Sequence, residues 1–187
     1  RYSGKCRKLP PGTARKRLQG GQQAALRLKV RPGRVGFEDI VFGPLRVDCH
    51  EIGDFVFLRS NQTAPYNFAC VIDDASMEIT HVIRGEGHIS STYRQLLIYE
   101  ALGFDPPKFA HLSTILGVDG AKLSKRHGAT SIVEFRNQGY LPEALVNYLA
   151  LLGWAPAQEG KEILTPEQLT AQFDLSRVHR SPATFDW

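Results

Sequence analysis

One strand–helix–strand segment, residues 79–116, most constrains how this 187-residue chain can fold. The runs ITHVIRG and KFAHLSTIL are short, apolar and rich in strand-forming residues, whereas the run between them repeats its apolar side chains at helical spacing. The repeating positions are Tyr93, Leu96, Leu97 and Ala101. This order is typical of one crossover unit of a parallel sheet. A lone crossover is too small for a core of its own, so we expect an α/β fold in which it packs on other strands of this chain or on a half outside it.

Residues 20–60 predict β-structure of another kind. The run QQAALRLKVR alternates apolar and cationic side chains, which places Arg27, Lys29 and Arg31 on one face of a strand. Further strand-like runs follow in GFEDIVFGPLRV and DFVFLRS, separated by short Gly/Pro turns rather than by helices. We therefore expect an antiparallel β patch with a cationic face.

The chain becomes helical after residue 130. Ser131 and Glu134 have the spacing of a capping box, and so have Thr165 and Gln168, with a proline at the first helical position of the second case. These signals predict two helix starts on either side of the apolar run LPEALVNYLALLGW.

Charge is distributed unevenly along the chain. Residues 1–34 contain eleven Lys or Arg and no acidic residue, whereas the remainder has 12 basic and 19 acidic residues. A basic first segment suggests a surface for a polyanion, and a solvated basic edge is the alternative.

The cysteine content indicates a reducing compartment, so we expect a cytoplasmic protein. Cys6, Cys49 and Cys70 are too few and too widely spaced for a disulfide framework or a closed zinc site. No apolar run is long enough to cross a bilayer, and we expect no membrane association. The adjacent acids Asp73 and Asp74 point in different directions on a helix or a strand, which favours capping or an ion pair over a metal site.

A short basic loop carries the most informative chemistry. After the turn at Asp119-Gly120, one hydroxyl and three cations occur within five residues, namely Lys122, Ser124, Lys125 and Arg126. Such a loop suits closure over a triphosphate, where lysine offsets charge on the phosphates, although a solvated basic turn is the simpler alternative. The P-loop pattern is absent.

The segment KLSKR resembles the KMSKS loop of class I aminoacyl-tRNA synthetases, in the form that bacterial-type glutamyl-tRNA synthetases use. Three further segments resemble that family in the same order and at similar spacing: DFVFLRSNQTAPYNFACVIDD, ITHVIRGEGHISST and GYLPEALVNYLALLGW. The resemblance implies the carboxyl-terminal part of the catalytic region. Residues 1–64 would be the end of a β-rich, basic acceptor-stem-binding insertion, 65–118 the second half of a Rossmann-type domain, and 119–187 the KMSKS-type loop with a helical stem-contact domain.

By this resemblance the parent enzyme activates glutamate with ATP and Mg²⁺ and transfers it to the acceptor end of tRNA(Glu), acting as a monomer. The chain alone is expected to be incomplete and inactive, because the family's first Rossmann half and its PSPTGxLHIGG motif have no counterpart here. The letters His50-Glu51-Ile52-Gly53 imitate part of that motif but lie between strand-like runs, so we interpret them as a coincidence.

The resemblance also implies roles for individual residues. Tyr66 and Arg84 would contact glutamate, and an arginine can bind a carboxylate through two parallel hydrogen bonds. Cys70 stands at a third glutamate-side position that varies within the family. Adenine would lie against the backbone near Thr114 and Ile115, with Glu86 nearby, and Gly87 stands where relatives commonly have a second carboxylate.

In the loop, Lys125 is the main expected ATP contact. Arg126 would contact phosphate or RNA, while Lys122 and Ser124 shape and close the loop. Arg27, Lys29 and Arg31 would face tRNA. Cys6 resembles a remnant of a zinc-binding element, and we expect no zinc site in this chain.

Two other functions remain open from the sequence. One is a glutaminyl-tRNA or glutamyl-queuosine synthetase relative, which is the same class of enzyme. The other is a non-catalytic tRNA-binding module that uses the same basic face.

Overall fold

The computed structural model describes residues 2–10, 12–124, 131–157 and 160–186. The chain forms two compact units that alternate along the sequence. The first comprises residues 1–37, 44–80 and 89–107, and the second comprises residues 38–43, 81–88 and 108–187. The contiguous division predicted at residues 64 and 118 stays a prediction.

The first unit combines short strands with two longer helices. In chain order it contains α1 (Thr13–Gln19), β1 (Leu26–Leu28), most of β2 (Arg34–Asp39) and of β3 (Gly43–Asp48), α2 (Cys49–Ile52), β4 (Phe55–Leu58), α3 (Tyr66–Ser76) and α4 (Ile89–Leu102). A 3-10 turn precedes them at Lys5–Lys8. β1 and β4 pair antiparallel, and β2 is hydrogen-bonded to β3.

Helices α3 and α4 provide the core of this unit. Val71, Ile98 and Tyr99 are buried there, and Phe55 of β4 and Leu28 of β1 pack against them. The burial of these apolar side chains is the main stabilising term for such a small unit.

The second unit contains the parallel strands and the carboxyl-terminal helices. Its elements are β5 (His81–Gly85), β6 (Lys108–Leu112), β7 (Ile115–Leu116), α5 (Ile132–Asn137), α6 (Pro142–Leu151), α7 (Pro166–Gln172) and β8 (Ala183–Thr184). β5 and β6 run parallel over their full length, from His81 opposite Lys108 to Gly85 opposite Leu112. A smaller core of Trp154, Leu164 and Leu169 lies beside α6 and α7.

The predicted crossover and both predicted capping boxes are confirmed. β5 and β6 are parallel and α4 connects them in the chain, ending at Gly103, which has a φ of +72°. Ser131 caps α5 together with Glu134, and Thr165 caps α7 together with Gln168.

The predicted antiparallel patch over residues 20–60 is confirmed for β1 and β4, which pair antiparallel, and needs a correction elsewhere. The alternating run from Gln22 forms only a three-residue strand, and the last residue of β2, Asp39, pairs in parallel with Phe109 of β6. The alternation reports which side chains share a face, whereas the strand partner is set by contacts far away in the sequence. No helix among the described residues is long and apolar enough to span a membrane.

Candidate functional site

A buried acid–imidazole pair lies in the second unit, where β2 ends beside β6. Asp39 and His111 are 1% and 0% exposed, and Oδ2 of Asp39 lies 2.7 Å from Nδ1 of His111. Oδ1 of Asp39 accepts hydrogen bonds from the amides of Val41 and Phe42 at 3.0 and 2.9 Å, and the amide of His111 donates to Oδ2 at 3.1 Å. A carboxylate with this many donors is stable in the interior.

Arg84 of β5 lies opposite His111 in the parallel register. Its Nε donates to Nε2 of His111 at 3.4 Å, and its guanidinium carbon lies 5.7 Å from the centre of the Phe109 ring. Because arginine only donates, Nε2 of His111 is the accepting nitrogen, and Nδ1 carries the hydrogen that faces Asp39.

Burial lowers the pKa of His111 below its ordinary value. The charges of Arg84 and His88 act in the same direction, and they outweigh, together with burial, the opposing effect of Asp39. The imidazole is therefore neutral at pH 7, in agreement with the tautomer that the hydrogen bonds require.

Glu86 follows β5 and connects it to the segment after β6. Its Oε1 accepts a hydrogen bond from the amide of Thr114 at 2.8 Å. Four predicted site residues therefore lie near the carboxyl ends of two parallel strands, which is where open α/β sheets bind ligands. They are Arg84, Glu86, Thr114 and Ile115. The resemblance places Glu86 near the adenine, and the contact found is with the Thr114 backbone.

The basic loop begins as a tight hairpin. Gly117 donates its amide to the carbonyl of Ala121 at 2.8 Å, and Gly120 has a φ of +73°, which confirms the predicted turn. Lys122 is exposed and bridges back to Leu116. Ser124 is also exposed. Lys125 and Arg126, the principal predicted ATP contacts, lie outside the described residues.

Tyr66 and Cys70 lie in the first unit, one turn apart on α3. Tyr66 begins the helix and is 51% exposed, and Cys70 is half-buried. Residues four apart share one face of a helix, so both face the same surroundings. Asp73 and Asp74 lie further along α3.

Two of the three predicted tRNA-facing cations, Arg27 and Arg31, line a basic cleft of the first unit. A cavity of about 820 Å³ is lined by Tyr2, Arg7, Arg27, Arg31, His50 and Arg94, with Asp48, Glu51 and Asp54 among its other residues. The guanidinium of Arg27 lies 4.3 Å above the ring of Tyr2, and it donates to the backbone carbonyl of Asp54 at 3.2 Å. Lys29 and Arg31 are exposed.

Asp54 links the amino-terminal segment to this cleft. It forms an ion pair with Arg7 and accepts from the amide of Val30 at 2.9 Å. Burial alone would raise the pKa of Asp54, but the bonds from Arg7 and Val30 hold it below its ordinary value.

The sequence patterns identified neither Asp39 nor His111 as a site residue. The one available signal is a histidine in the otherwise apolar strand KFAHL, and its acidic partner lies 72 residues away. Cys6 is exposed in the first 3-10 turn, and the described part of the chain contains no group of three His, Cys, Asp or Glu residues that could hold a metal ion. His50 to Ile52 form most of the one-turn helix α2, and Gly53 ends it.

The comparisons with known proteins define the class first. Residues 1–187 match the family described as tRNA synthetases class I (E and Q), catalytic domain, and the chain belongs to this family. Its α/β architecture is the one expected of such a domain.

Individual relatives carry a more specific name within this class. The glutamate–tRNA ligase of Aquifex aeolicus is 55% identical over 187 residues, which are 100% of this chain and 40% of that protein. The enzyme of the same name from Heliobacterium modesticaldum is 54% identical over 188 residues, 38% of its length. The crystal structure of a glutamate tRNA ligase from Elizabethkingia meningosepticum, in complex with its amino acid, superimposes with a TM-score of 0.89 at 36% identity. That match covers 99% of this chain and 41% of the solved one.

The chain thus spans about 40% of the length of the curated relatives it matches. The expectation that it is the carboxyl-terminal part of the catalytic region needs correction, because the comparisons support only a position within the amino-terminal catalytic region of these ligases.

Proposed function

We propose that this chain is a catalytic segment of a glutamate–tRNA ligase, which joins glutamate to tRNA(Glu) at the expense of ATP. The observation that carries the proposal is an identity of 55% over the whole chain to a ligase of that name. The glutamate carboxylate attacks the α-phosphate of ATP and releases pyrophosphate. A ribose hydroxyl of the tRNA end then takes the glutamyl group from the adenylate and releases AMP.

Glutamate is held by Arg84 and Tyr66, with Cys70 beside it. The position of Arg84 supports this role, because it lies near the carboxyl end of a parallel strand and a guanidinium can bind a carboxylate through two parallel hydrogen bonds. Tyr66 is half-exposed at the start of α3, and a tyrosine hydroxyl can donate to a carboxylate.

ATP is held by the loop and by the backbone next to it. Lys125 and Arg126 contact phosphates, Lys122 and Ser124 shape the loop, and adenine lies near Thr114 and Ile115. Glu86 supports this segment through the Thr114 amide, which it holds at 2.8 Å. Mg²⁺ bound with ATP would offset negative charge on the phosphates.

The acceptor stem of the tRNA lies on the basic face of residues 1–34. Lys29 and Arg31 are exposed there, and the cleft with four arginines lies in the same unit. We assign residues 1–64 to a stem-binding insertion, 65–118 to the second half of a Rossmann-type domain and 119–187 to the loop and stem-contact helices. We further propose a monomer that works in the cytoplasm.

A chimeric ligase tests the proposal. This chain replaces the matching 187 residues of the Aquifex aeolicus relative, and ATP–pyrophosphate exchange is measured with glutamate and tRNA. We expect exchange in the chimera, loss of exchange with Lys125→Ala, and normal exchange with Lys161→Ala, a lysine outside the loop. A chimera that folds but shows no exchange would contradict the proposal.

Two alternatives have specific support. The matching family contains glutamine as well as glutamate enzymes, so exchange that depends on glutamine rather than glutamate would indicate the former. The arginine-lined cleft also suits a non-catalytic tRNA-binding module. That alternative predicts tRNA binding by the chain and no exchange by the chimera.

A further inference from the structure

The Asp39–His111 pair is buried and does not reach the surface, so it has no direct role in the reaction proposed above. A buried carboxylate and imidazole are costly to keep unless their hydrogen bonds have a function or stabilise a particular arrangement. Asp39 on β2 raises the pKa of His111, whereas burial, Arg84 on β5 and His88 in the turn after β5 lower it. Of these, Arg84 is the proposed glutamate ligand.

We propose that Asp39 and His111 are positioning residues, which hold the guanidinium of Arg84 in the orientation that binds the substrate carboxylate. This inference rests on the proposed function for the identity of the carboxylate. Asp39 Oδ2 fixes the hydrogen of His111 on Nδ1, and Nε2 then accepts from Nε of Arg84. The orientation of Arg84 therefore depends on a proton on the far side of the His111 ring, between Nδ1 and Asp39.

The hydrogen bonds of Asp39 make this dependence testable. Oδ1 is occupied by the amides of Val41 and Phe42, whereas Oδ2 faces the imidazole and also accepts from the backbone amide of His111 at 3.1 Å. In Asp39→Asn the amide oxygen keeps the bonds from Val41 and Phe42 and takes the one from the His111 amide, which already lies 3.3 Å from Oδ1, so the NH₂ group faces Nδ1 of His111. The imidazole then accepts at Nδ1 and carries its hydrogen on Nε2, directly against the Nε–H of Arg84.

Substitutions of His111 form a matched pair. The side-chain amide of glutamine reaches the place of Nε2 and can still accept from Arg84, whereas that of asparagine reaches the place of Nδ1 and can contact only Asp39. His111→Gln should therefore keep the glutamate site, and His111→Asn should lose it. Both remove the same ring and disturb packing to a similar degree, so packing alone predicts no difference.

The first experiment measures the tautomer in this chain, by the ¹⁵N chemical shifts of His111 at pH 7. The wild type should be protonated at Nδ1 and unprotonated at Nε2, and Asp39→Asn should reverse the two. Protonation of Nε2 in the wild type would overturn the inference.

The second experiment uses the chimeric ligase and compares KM for glutamate with KM for ATP. Asp39→Asn and His111→Asn should raise KM for glutamate by about tenfold or more, with KM for ATP unchanged within about twofold. His111→Gln should stay close to wild type. Tyr148→Phe, which removes hydrogen bonds to the Asp186 backbone, should lower Tm and leave both KM values unchanged.

In an Arg84→Ala background, Asp39→Asn should have no further effect on KM for glutamate, because the residue it positions is gone. An equal loss in His111→Gln and His111→Asn, or additive effects of Asp39→Asn and Arg84→Ala, would show a purely structural role and overturn the inference. A wild-type chimera without glutamate-dependent exchange would instead overturn the proposed function, and the tautomer measurement would still decide whether the network exists as described.

Discussion

Two buried ionisable residues of this chain are stabilised in opposite ways. Asp54 keeps its negative charge because Arg7 and the Val30 amide donate to it. His111 is instead kept neutral, since burial and the nearby Arg84 both disfavour a second proton. Each arrangement makes the free energy of unfolding depend on pH, in a range that begins at the unfolded-state pKa of the group concerned.

Asp54 should contribute stability that is lost in acid. Its pKa is lowered in the folded chain, so the contribution is complete above the ordinary carboxyl pKa of about 3.9 and disappears as the pH falls through the lower folded value. The free energy of unfolding should fall below about pH 4 in the wild type, and less steeply in Asp54→Asn. Urea unfolding at several pH values measures this. Arg7→Gln should reduce the same dependence, and an unchanged slope in both variants would contradict the assignment.

His111 should make stability depend on pH in a second range, which lies at higher pH than that of Asp54. Its pKa is lowered on folding, so below about pH 6.5 the unfolded chain takes up a proton that the folded chain refuses. Stability should therefore decrease as the pH falls from about 6.5 towards the folded pKa, and His111→Gln should remove that part of the decrease. The same urea series, extended to pH 7.5, tests it. A wild type whose stability is constant between pH 7 and 5 would refute the prediction.

At the scale of elements, helix α7 depends on its first turn. It has only seven residues, and its capping box holds Leu169 in the core with Trp154 and Leu164. Thr165→Ala removes the cap and should lower the free energy of unfolding by about 1 kcal/mol. Thr170→Ala, on the same helix, should change it by less than about 0.5 kcal/mol, because that hydroxyl bonds back to the Pro166 carbonyl within the helix. Equal losses in the two variants, measured by urea unfolding, would argue against the cap.

Gly36 of β2 is required by a close approach of the chain. A Cβ at this position would lie 2.7 Å from the Leu45 carbonyl and 2.6 Å from Cγ of Arg46. Because the carbonyl is backbone and cannot move alone, Gly36→Ala should destabilise the chain by about 1–3 kcal/mol. Gly153→Ala is the control, since its Cβ would meet nothing within 4 Å. Thermal unfolding of the two variants should differ accordingly, and matching Tm values would disprove the steric argument.

Local sequence signals predicted the elements better than their partners. The capping boxes and the strand–helix–strand order of β5, α4 and β6 depend on neighbours a few residues apart, and each of these elements was predicted close to its place. The contacts of Asp39 with Phe109 and His111 of β6 join residues 70 and 72 apart, and no local pattern encodes them. For the same reason the candidate site was predicted only where motifs carry it, at Arg84, Tyr66 and the loop, and its buried supporting residues were not.

At the scale of the whole molecule, charge separates the chain into a basic beginning and an acidic remainder. The exposed Lys29 and Arg31 belong to the first part, whereas Arg27 is also engaged with Tyr2 and Asp54. A polyanion bound here would release counterions from its phosphates, so its affinity would depend steeply on salt.

Binding of an RNA acceptor-stem duplex should follow that dependence. Each lost phosphate contact reduces the slope of log K against log salt by about 0.9, so the double variant Lys29→Gln, Arg31→Gln should lower it by about 1.8. Lys108→Gln with Lys161→Gln removes equal charge outside the basic segment and should leave the slope unchanged. Fluorescence anisotropy between 50 and 200 mM salt measures the slope. Over this range the affinity of tight binders changes by a factor of about 10³–10⁵. Equal slopes in the wild type, the double variant and the control would exclude this face as the RNA-binding surface.

The separation of 72 residues in sequence between Asp39 and His111 also determines how long after Asp39 the ribosome adds His111. A ribosome adds about 5–20 residues per second, so about 4–14 s pass between the synthesis of the acid and of its imidazole partner. During that interval the carboxylate has only the nearby amides of Val41 and Phe42, which already shape the turn after β2. A nascent chain can therefore complete this turn early, but the proton that orients Arg84 is not in place until the sixth strand has emerged.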